Sequence, residues 1–195
     1  MASKELNRCP WCGDDPLYVK YHDEEWGRLV TDDQTLFEFL TLESAQAGLA
    51  WITVLRKREG YREAFHNFDV EKVAAMTEED VERLMKFDGI VKNRRKIQSA
   101  ITNARLFIEI QKEYGSFFNY LRSFFKGDFP VINHPATMAD IPVTSPESDA
   151  IAKDMKKRGF KFFGTTICYA HLQATGFVDD HLNGCHCKHK PRTFT

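Results

Sequence analysis

The chain has 195 residues, 43% of them hydrophobic and 28% charged, with 27 Lys and Arg against 28 Asp and Glu and a formal net charge of −1. This is the composition of a folded chain rather than a disordered one, and at this length folding hides roughly 70% of the surface the unfolded form exposes, so a core forms without disulfide staples. Near-neutrality excludes a globally basic nucleic-acid coat, though not a local basic face, and no stretch approaches the roughly 18 apolar residues of a membrane span.

From the amino terminus, MASKELNR carries no apolar signal-peptide run, so a cytosolic protein with reduced thiols is expected, its first residues, MASKEL, frayed. Helix signals then dominate. Leu36, Leu40 and Ala47 share one face of a helix over 33–47, with Thr31 or Asp32 as its cap and Gly48 as its interruption. Thr77 is placed to cap TEEDVERLMKF, and a longer helix is predicted over 91–114 through Ile97, Ile101, Ala104 and Ile108, with the turn Asp88-Gly89-Ile90 between them. Pro130, Pro135 and Pro142 keep 127–144 irregular. Thr144-Ser145-Pro146-Glu147 opens a helix that Gly159 closes, and Thr165 and Thr166 start the last one, ICYAHLQATG. Extended segments such as FKFF are too short and isolated for a sheet. The expected class is all-α.

The five cysteines, at 9, 12, 168, 185 and 187, are crowded at the two ends and odd in number. Cys9 and His22 form C-x12-H, and His181 and Cys185 form H-x3-C. Two thiolates and two imidazoles make a tetrahedral set for structural zinc, which would tie a loop-rich amino-terminal segment to the end of the last helix. Cys12, His186, Cys187 and His189 are further candidates, so spacing leaves the choice of four open. Buried cysteines acting as small hydrophobes are the alternative. A redox role for Cys9 and Cys12 lacks the βαβ context of such motifs.

Glu43 lies three residues after Leu40 and four before Ala47, on their inward face. A carboxylate there is costly unless it is paired, hydrogen-bonded or bound to something. All three tryptophans, Trp11, Trp26 and Trp51, fall within the first 51 residues, together with Tyr18 and Tyr21. Aromatic planes with one buried carboxylate describe a pocket for a flat heterocycle carrying donors or positive charge. The plainer reading is an aromatic core with Glu43 turned to solvent.

In MKFDGIVKNRRKIQSA, Lys92, Arg94, Arg95 and Lys96 follow the Gly89 turn. Backbone N–H groups at such a turn, flanked by cations, can hold a phosphate without reading sequence. Arg56, Lys57, Arg58 and the cluster 153–161 would extend this basic face. Charge is segregated along the chain, with nine acidic residues against Lys20 and Arg28 between Cys12 and Gly48.

DPLYVKYHDEEWG, LFEFLTLESAQAGLAWITVLRKR, FDGIVKNRRKI, KRGFKFFGTTICY and the terminal DHLNGC together resemble the bacterial DNA-3-methyladenine glycosylase I family, over essentially Cys9 to Cys187. The resemblance implies an all-α fold of the helix-hairpin-helix glycosylase superfamily. It implies one domain over 1–187, its hairpin at about 78–113, with termini 9–22 and 181–185 joined by one zinc ion on Cys9, His22, His181 and Cys185, and a flexible tail, 188–195. It implies excision of 3-methyladenine from alkylated double-stranded DNA in the bacterial cytoplasm; no nucleophilic Lys is evident in the pocket segment, so no lyase activity is expected, and no heptad seam demands a partner, so a monomer without an obligatory protein partner is expected. Glu43 and Tyr21 would then hydrogen-bond the methylated base, Trp51 would stack on it, and Trp11 and Trp26 would shape the pocket. Gly48 and Leu49 would fill the gap left in the duplex, while Gly89, Lys92, Arg94 and Arg95 hold its backbone. Val91 departs from the superfamily, many of whose members carry a second glycine there. A zinc-stabilised module that recognises modified bases without cutting is the alternative, separated from the enzyme by the action of Glu43, Tyr21 and Trp51.

Overall fold

A computed structural model describes residues 6–188. Residues 1–5, and 189–195 with His189 and all but the first residue of the predicted tail, lie outside the described residues. That first residue, Lys188, is not loose: it is buried, its Nζ donates to the carbonyl of Asn133, and Asp179 Oδ2 lies 3.9 Å away.

Asp15 opens α1 (Pro16–Glu24) by accepting from the N–H groups of Leu17 and Tyr18. Asp32 does the same for α2 (Asp33–Gln46), accepting from Thr35 N at 2.8 Å. Three short helices follow, α3 (Trp51–Leu55), α4 (Arg58–Ala64) and α5 (Val70–Ala74). The Thr77 and Asp80 side chains form a capping box on α6 (Glu78–Leu84). The long helix, α7 (Arg94–Tyr114), begins three residues later than its apolar period suggests, because Asn93 caps it, accepting from Lys96 N at 3.2 Å. Next come α8 (Phe117–Arg122), α9 (Pro146–Arg158), capped by Ser145 and closed by Gly159, and α10 (Thr165–Ala174). At α10 the cap position belongs to Gly164, and the two threonines sit in the first turn. Helices α1, α3, α4, α5 and α8 escaped the sequence reading because one or two turns hold too few apolar repeats to show a period.

Among the described residues the extended structure is one parallel pairing, β1 (Val131–Ile132) beside β2 (Val178–Asp179), with Val131 opposite Val178. It lies inside the Pro-rich stretch read as irregular and ties that loop to the chain just after α10. No helix among the described residues is long and apolar enough to cross a membrane.

Helix α2 is the axis of the molecule. Every residue from Leu36 to Ala45 is buried, enclosed by contacts with α3, α7, α8 and α10. The Phe37 ring packs on Phe68 and Phe107, and Phe107 stacks on Phe117 at 4.1 Å. The acidic run before Gly48 is not a negative surface. Asp33 accepts from the N–H groups of Phe117 and Phe118 at the start of α8, Glu25 and Glu38 pair with Arg58, and Arg56 pairs with Asp15. Segregation along the chain thus becomes pairing in space, and Arg58, shielded from solvent over the Phe39 ring, is a strut rather than part of a basic face.

The turn 88–90 is seated on α4 through two glycines. A methyl on Gly60 would stand 2.1 Å from the carbonyl oxygen of Gly89, and one on Gly89 would stand 2.3 Å from the Phe87 ring. Lys57 Nζ donates to the Asp88 carbonyl at 2.8 Å, and Val91 N–H to the Tyr61 hydroxyl oxygen at 3.3 Å. Because the Gly60 contact is backbone on backbone, Gly60→Ala is expected to destabilise the fold by about 1–3 kcal/mol, read as a lower urea midpoint; an unchanged midpoint would show that the turn is not held against α4.

Candidate functional site

A cavity of about 380 Å³ opens between the amino-terminal aromatics and α10. Trp11, Tyr18, Tyr21, Trp26 and Trp51 form one side, and Thr166, Tyr169, Ala170 and Gln173 of α10 the other. Tyr21 and Trp51 are 5.5 Å apart between ring centroids, and Trp11 and Trp26 are 5.0 Å apart. The third wall is the loop Met138–Val143, which supplies Met138, Ile141, Pro142 and Val143. Sequence reasoning missed this wall, which carries no aromatic clustering to flag it, and the α10 residues, where Tyr169 stands far along the chain from the amino-terminal aromatics.

Helix α2 brings two carboxylates into the interior with opposite fates. Glu38 accepts from Arg58 Nε at 2.6 Å and Arg62 Nε at 3.0 Å. Glu43 is 3% exposed, and its Oε2 has no hydrogen-bond partner among the described residues. Burial alone pushes the Glu43 carboxyl up to about 8. Glu43 lies outside the cavity lining but close enough to Tyr21 and Tyr18 for its charge to act on both phenols. Burial first and Glu43 second hold the Tyr21 phenol well above its ordinary range. The indole N–H of Trp51 is also buried without a partner. An unpaired donor on Trp51 of the cavity lining and an unpaired acceptor on Glu43, close to Tyr18 and Tyr21 of that lining, are costly as they stand and would be relieved by a polar ligand.

Between α2 and α3, Gly48 adopts φ +82° with open space around it, and Leu49 beside it is 38% exposed. The left-handed turn presents a leucine to solvent two residues before Trp51.

Behind the aromatic wall the two ends of the chain meet. His22 Nδ1 lies 2.8 Å from Asp23 Oδ1, and His181 Nδ1 lies 2.8 Å from Asp179 Oδ1. Each carboxylate fixes the tautomer that leaves Nε2 with its lone pair inward. Cys9 N–H points at His22 Nε2 at 3.4 Å, Cys185 Sγ lies 3.5 Å from the same nitrogen, and His181 Nε2 is buried with no hydrogen-bond partner among the described residues. The Cys9 thiol sulfur accepts from Leu182 N–H at 3.5 Å and adjoins Cys185. Donor atoms of His22, His181, Cys185 and Cys187 all lie within 4.8 Å of one another. Asp23 is held in turn by Arg8 and by His186 Nε2. Cys12 stands apart, its thiol donating to the Cys9 carbonyl at 3.2 Å, and Cys168 is buried in α10. Trp11 and Trp26 line the cavity on one side and on the other touch His22, at 5.2 Å from Trp11, and His181, at 4.6 Å from Trp26.

Around the hairpin of α6 and α7 the cations divide. Arg94 is bound by Glu78 and Glu82, and Lys92 by Asp88. Lys96 Nζ donates to the carbonyls of Ala45 and Ala47, closing the end of α2. Arg95 is exposed and makes no ion pair among the described residues.

The profile of the methyladenine glycosylase family matches residues 11–189. DNA-3-methyladenine glycosylase 1 of Escherichia coli is 51% identical over 182 residues, covering 93% of this chain and 97% of its own. The chain belongs to the methyladenine glycosylase family. A second relative, DNA-3-methyladenine glycosylase of Haemophilus influenzae, is 45% identical over 93% of this chain and 97% of its own. Among solved structures, one of 3-methyladenine DNA glycosylase I matches with a TM-score of 0.89 at 53% identity, covering 93% of this chain and 99% of that one. A variant of 3-methyladenine DNA glycosylase I in complex with 3-methyladenine matches with a TM-score of 0.90 at 39% identity, covering 95% and 100%.

In this member of the methyladenine glycosylase family the cost of an unpaired Glu43 is measurable. The folded protein keeps the Glu43 proton up to about pH 8, against an ordinary value of 4.5. The unfolded chain releases that proton earlier, so the native state loses ground from about pH 4.5 to pH 8 by roughly 1.4 kcal/mol per unit, and the deficit stays constant above. Glu43→Gln removes the titration. Its stability is expected to overtake the wild type progressively across that window in thermal unfolding; parallel pH profiles would show that Glu43 is not desolvated.

Proposed function

We propose that the protein is a base-excision repair glycosylase that hydrolyses the N-glycosidic bond of 3-methyladenine in alkylated double-stranded DNA. The observation that carries this reading is the buried Glu43 carboxyl, its Oε2 unpartnered among the described residues, close to Tyr18 and Tyr21 of an aromatic cavity, in a chain whose relatives bear the name of that activity. Adenine methylated at N3 within DNA carries a positive charge, so bond cleavage releases a neutral base and needs no strong general acid. What remains is to take the base out of the stack, hold its cation and let water reach an oxocarbenium-like sugar.

The residues divide this work. A cationic base beside Glu43 favours the ionised carboxylate, reversing the effect of burial, so the carboxyl that is protonated at neutral pH in the empty site becomes the counter-charge of the substrate. Glu43 and Tyr21 accept from and orient the base, and Trp51 stacks on it, contributing about 1–3 kcal/mol. Trp11 and Trp26 fix the far wall. Gly48 and Leu49 enter the space the base leaves. The hairpin acts as the helix-hairpin-helix grip, with Gly89 amides, Lys92 and Arg95 toward phosphate and Arg94 bracing the two helices through Glu78 and Glu82. No lysine lines the cavity among the described residues, which supports hydrolysis without lyase chemistry.

For the cluster at the chain ends, the inward Nε2 atoms, the buried unpartnered His181 Nε2 and the carboxylates behind both imidazoles fit one structural zinc on Cys9, His22, His181 and Cys185. Bound zinc would supply a cross-link between residues 9–22 and 181–185, with no open position for catalysis.

Methylated duplex incubated with the protein is expected to yield free 3-methyladenine on chromatography; folded protein that binds the DNA and releases no base overturns the proposal. Glu43→Gln should lower excision by about 10²-fold or more while retaining helicity and metal, and unchanged excision would remove Glu43 from its role. Elemental analysis is expected to give about one zinc per chain; clearly substoichiometric zinc in folded, active protein would remove the metal site.

A further inference from the structure

The cluster at the chain ends holds five His and Cys donors, His22, His181, Cys9, Cys185 and Cys187, one more than a tetrahedral ion takes. Three donors, His22, His181 and Cys185, are shared by the set that uses Cys9 and the set that uses Cys187, while His22, Asp23, His186 and Cys187 form a second, overlapping group. The fourth position has two claimants from opposite ends of the chain. Cys9 reaches it from the amino-terminal segment. Cys187 reaches it from the other side: it is buried, its N–H donates to Cys185 Sγ at 3.4 Å, and its sulfur belongs to the group of four donors lying within 4.8 Å of one another. With metal–ligand bonds of about 2.0–2.3 Å, the donors of a tetrahedral zinc stand about 3.5 Å apart, so those four need only a small inward shift to close on one ion.

We propose that Cys187 is an alternate metal thiolate that exchanges with Cys9 while His22, His181 and Cys185 stay in place. The proposal rests on the zinc reading above. In the exchange the Cys9 sulfur–metal bond is replaced by a Cys187 sulfur–metal bond, and a proton passes from the Cys187 thiol to the departing Cys9 thiolate, so charge and oxidation state are unchanged. With Cys187 bound, the ligands come from α1 and residues 181–187, and the segment before Pro16 no longer holds the ion. That segment carries Trp11, which lines the base cavity and packs against His22 and Trp26. Exchange therefore lets the Trp11 wall of the cavity loosen without release of the metal. Asp23 Oδ1, 3.8 Å from the Cys187 sulfur, gives its proton a local acceptor, while His186 Nε2, 3.5 Å from the sulfur, is engaged with the same carboxylate.

The test uses the full chain as wild type, Cys9→Ala, Cys9→Ser, Cys187→Ala and Cys9→Ala/Cys187→Ala, each purified with zinc. Zinc is measured by elemental analysis and chelator competition, and thiolate number by the thiolate-to-cobalt absorption after exchange with cobalt(II). The single variants are expected to keep about one metal per chain and a two-thiolate cobalt band, whereas the double variant shows about half that band and yields zinc at about tenfold lower chelator concentration. If both Cys9 variants lose metal, fail to fold with zinc present, or match the double variant in cobalt absorption, the exchange is overturned. A wild type that binds no zinc would instead sink the zinc reading, and the exchange with it.

Discussion

The enclosure of α2 on all sides is the constraint from which the site follows. A helix buried around its whole circumference has no solvent face on which to place acidic residues, so each carboxylate on it must find a cation or remain protonated. Glu38 finds Arg58 and Arg62. Five residues on, Glu43 finds none, and the unfavourable energy is retained at the place where a cationic ligand would relieve it. The carboxylate five residues earlier is paired twice, whereas Oε2 of the second has no partner among the described residues.

The aromatic wall has two faces with different duties. Toward the cavity, Trp11 and Trp26 are apolar planes; toward the chain ends, the same rings press on His22 and His181. The same two rings therefore touch both the His/Cys cluster and the cavity. The acidic residues of the amino-terminal quarter serve the same end. Asp15 and Asp32 cap helices, Asp23 orients the His22 imidazole, and Asp33 reaches across to accept from the first N–H groups of α8. What looks along the chain like a negative segment is a set of local partners for N–H groups and cations.

Much of the fold and part of the site were legible in the sequence. Helix limits were readable wherever a polar cap met an apolar period, as at Asp32, Thr77 and Ser145, because capping is settled by neighbours three residues apart. Glu43 was suspect because its inward position follows from helical spacing alone, and the His and Cys candidates because few residue types ligate metal. Family membership was readable from the joint occurrence of several long motifs.

Tertiary structure decided what depends on partners distant in sequence. Only the packing of α4 on α2 separates Glu38, twenty residues from Arg58, from Glu43 with no cation near it. Only the hairpin geometry shows that Arg94 faces Glu78 and Glu82 while Arg95 faces solvent. The loop Met138–Val143 reads as irregular, yet it walls the cavity, and Cys187 joins the His/Cys group only when the two ends of the chain are brought together. Sequence spacing constrains which side chains share a helix face; which of them keeps an unpaired charge is determined by the elements that fold over it.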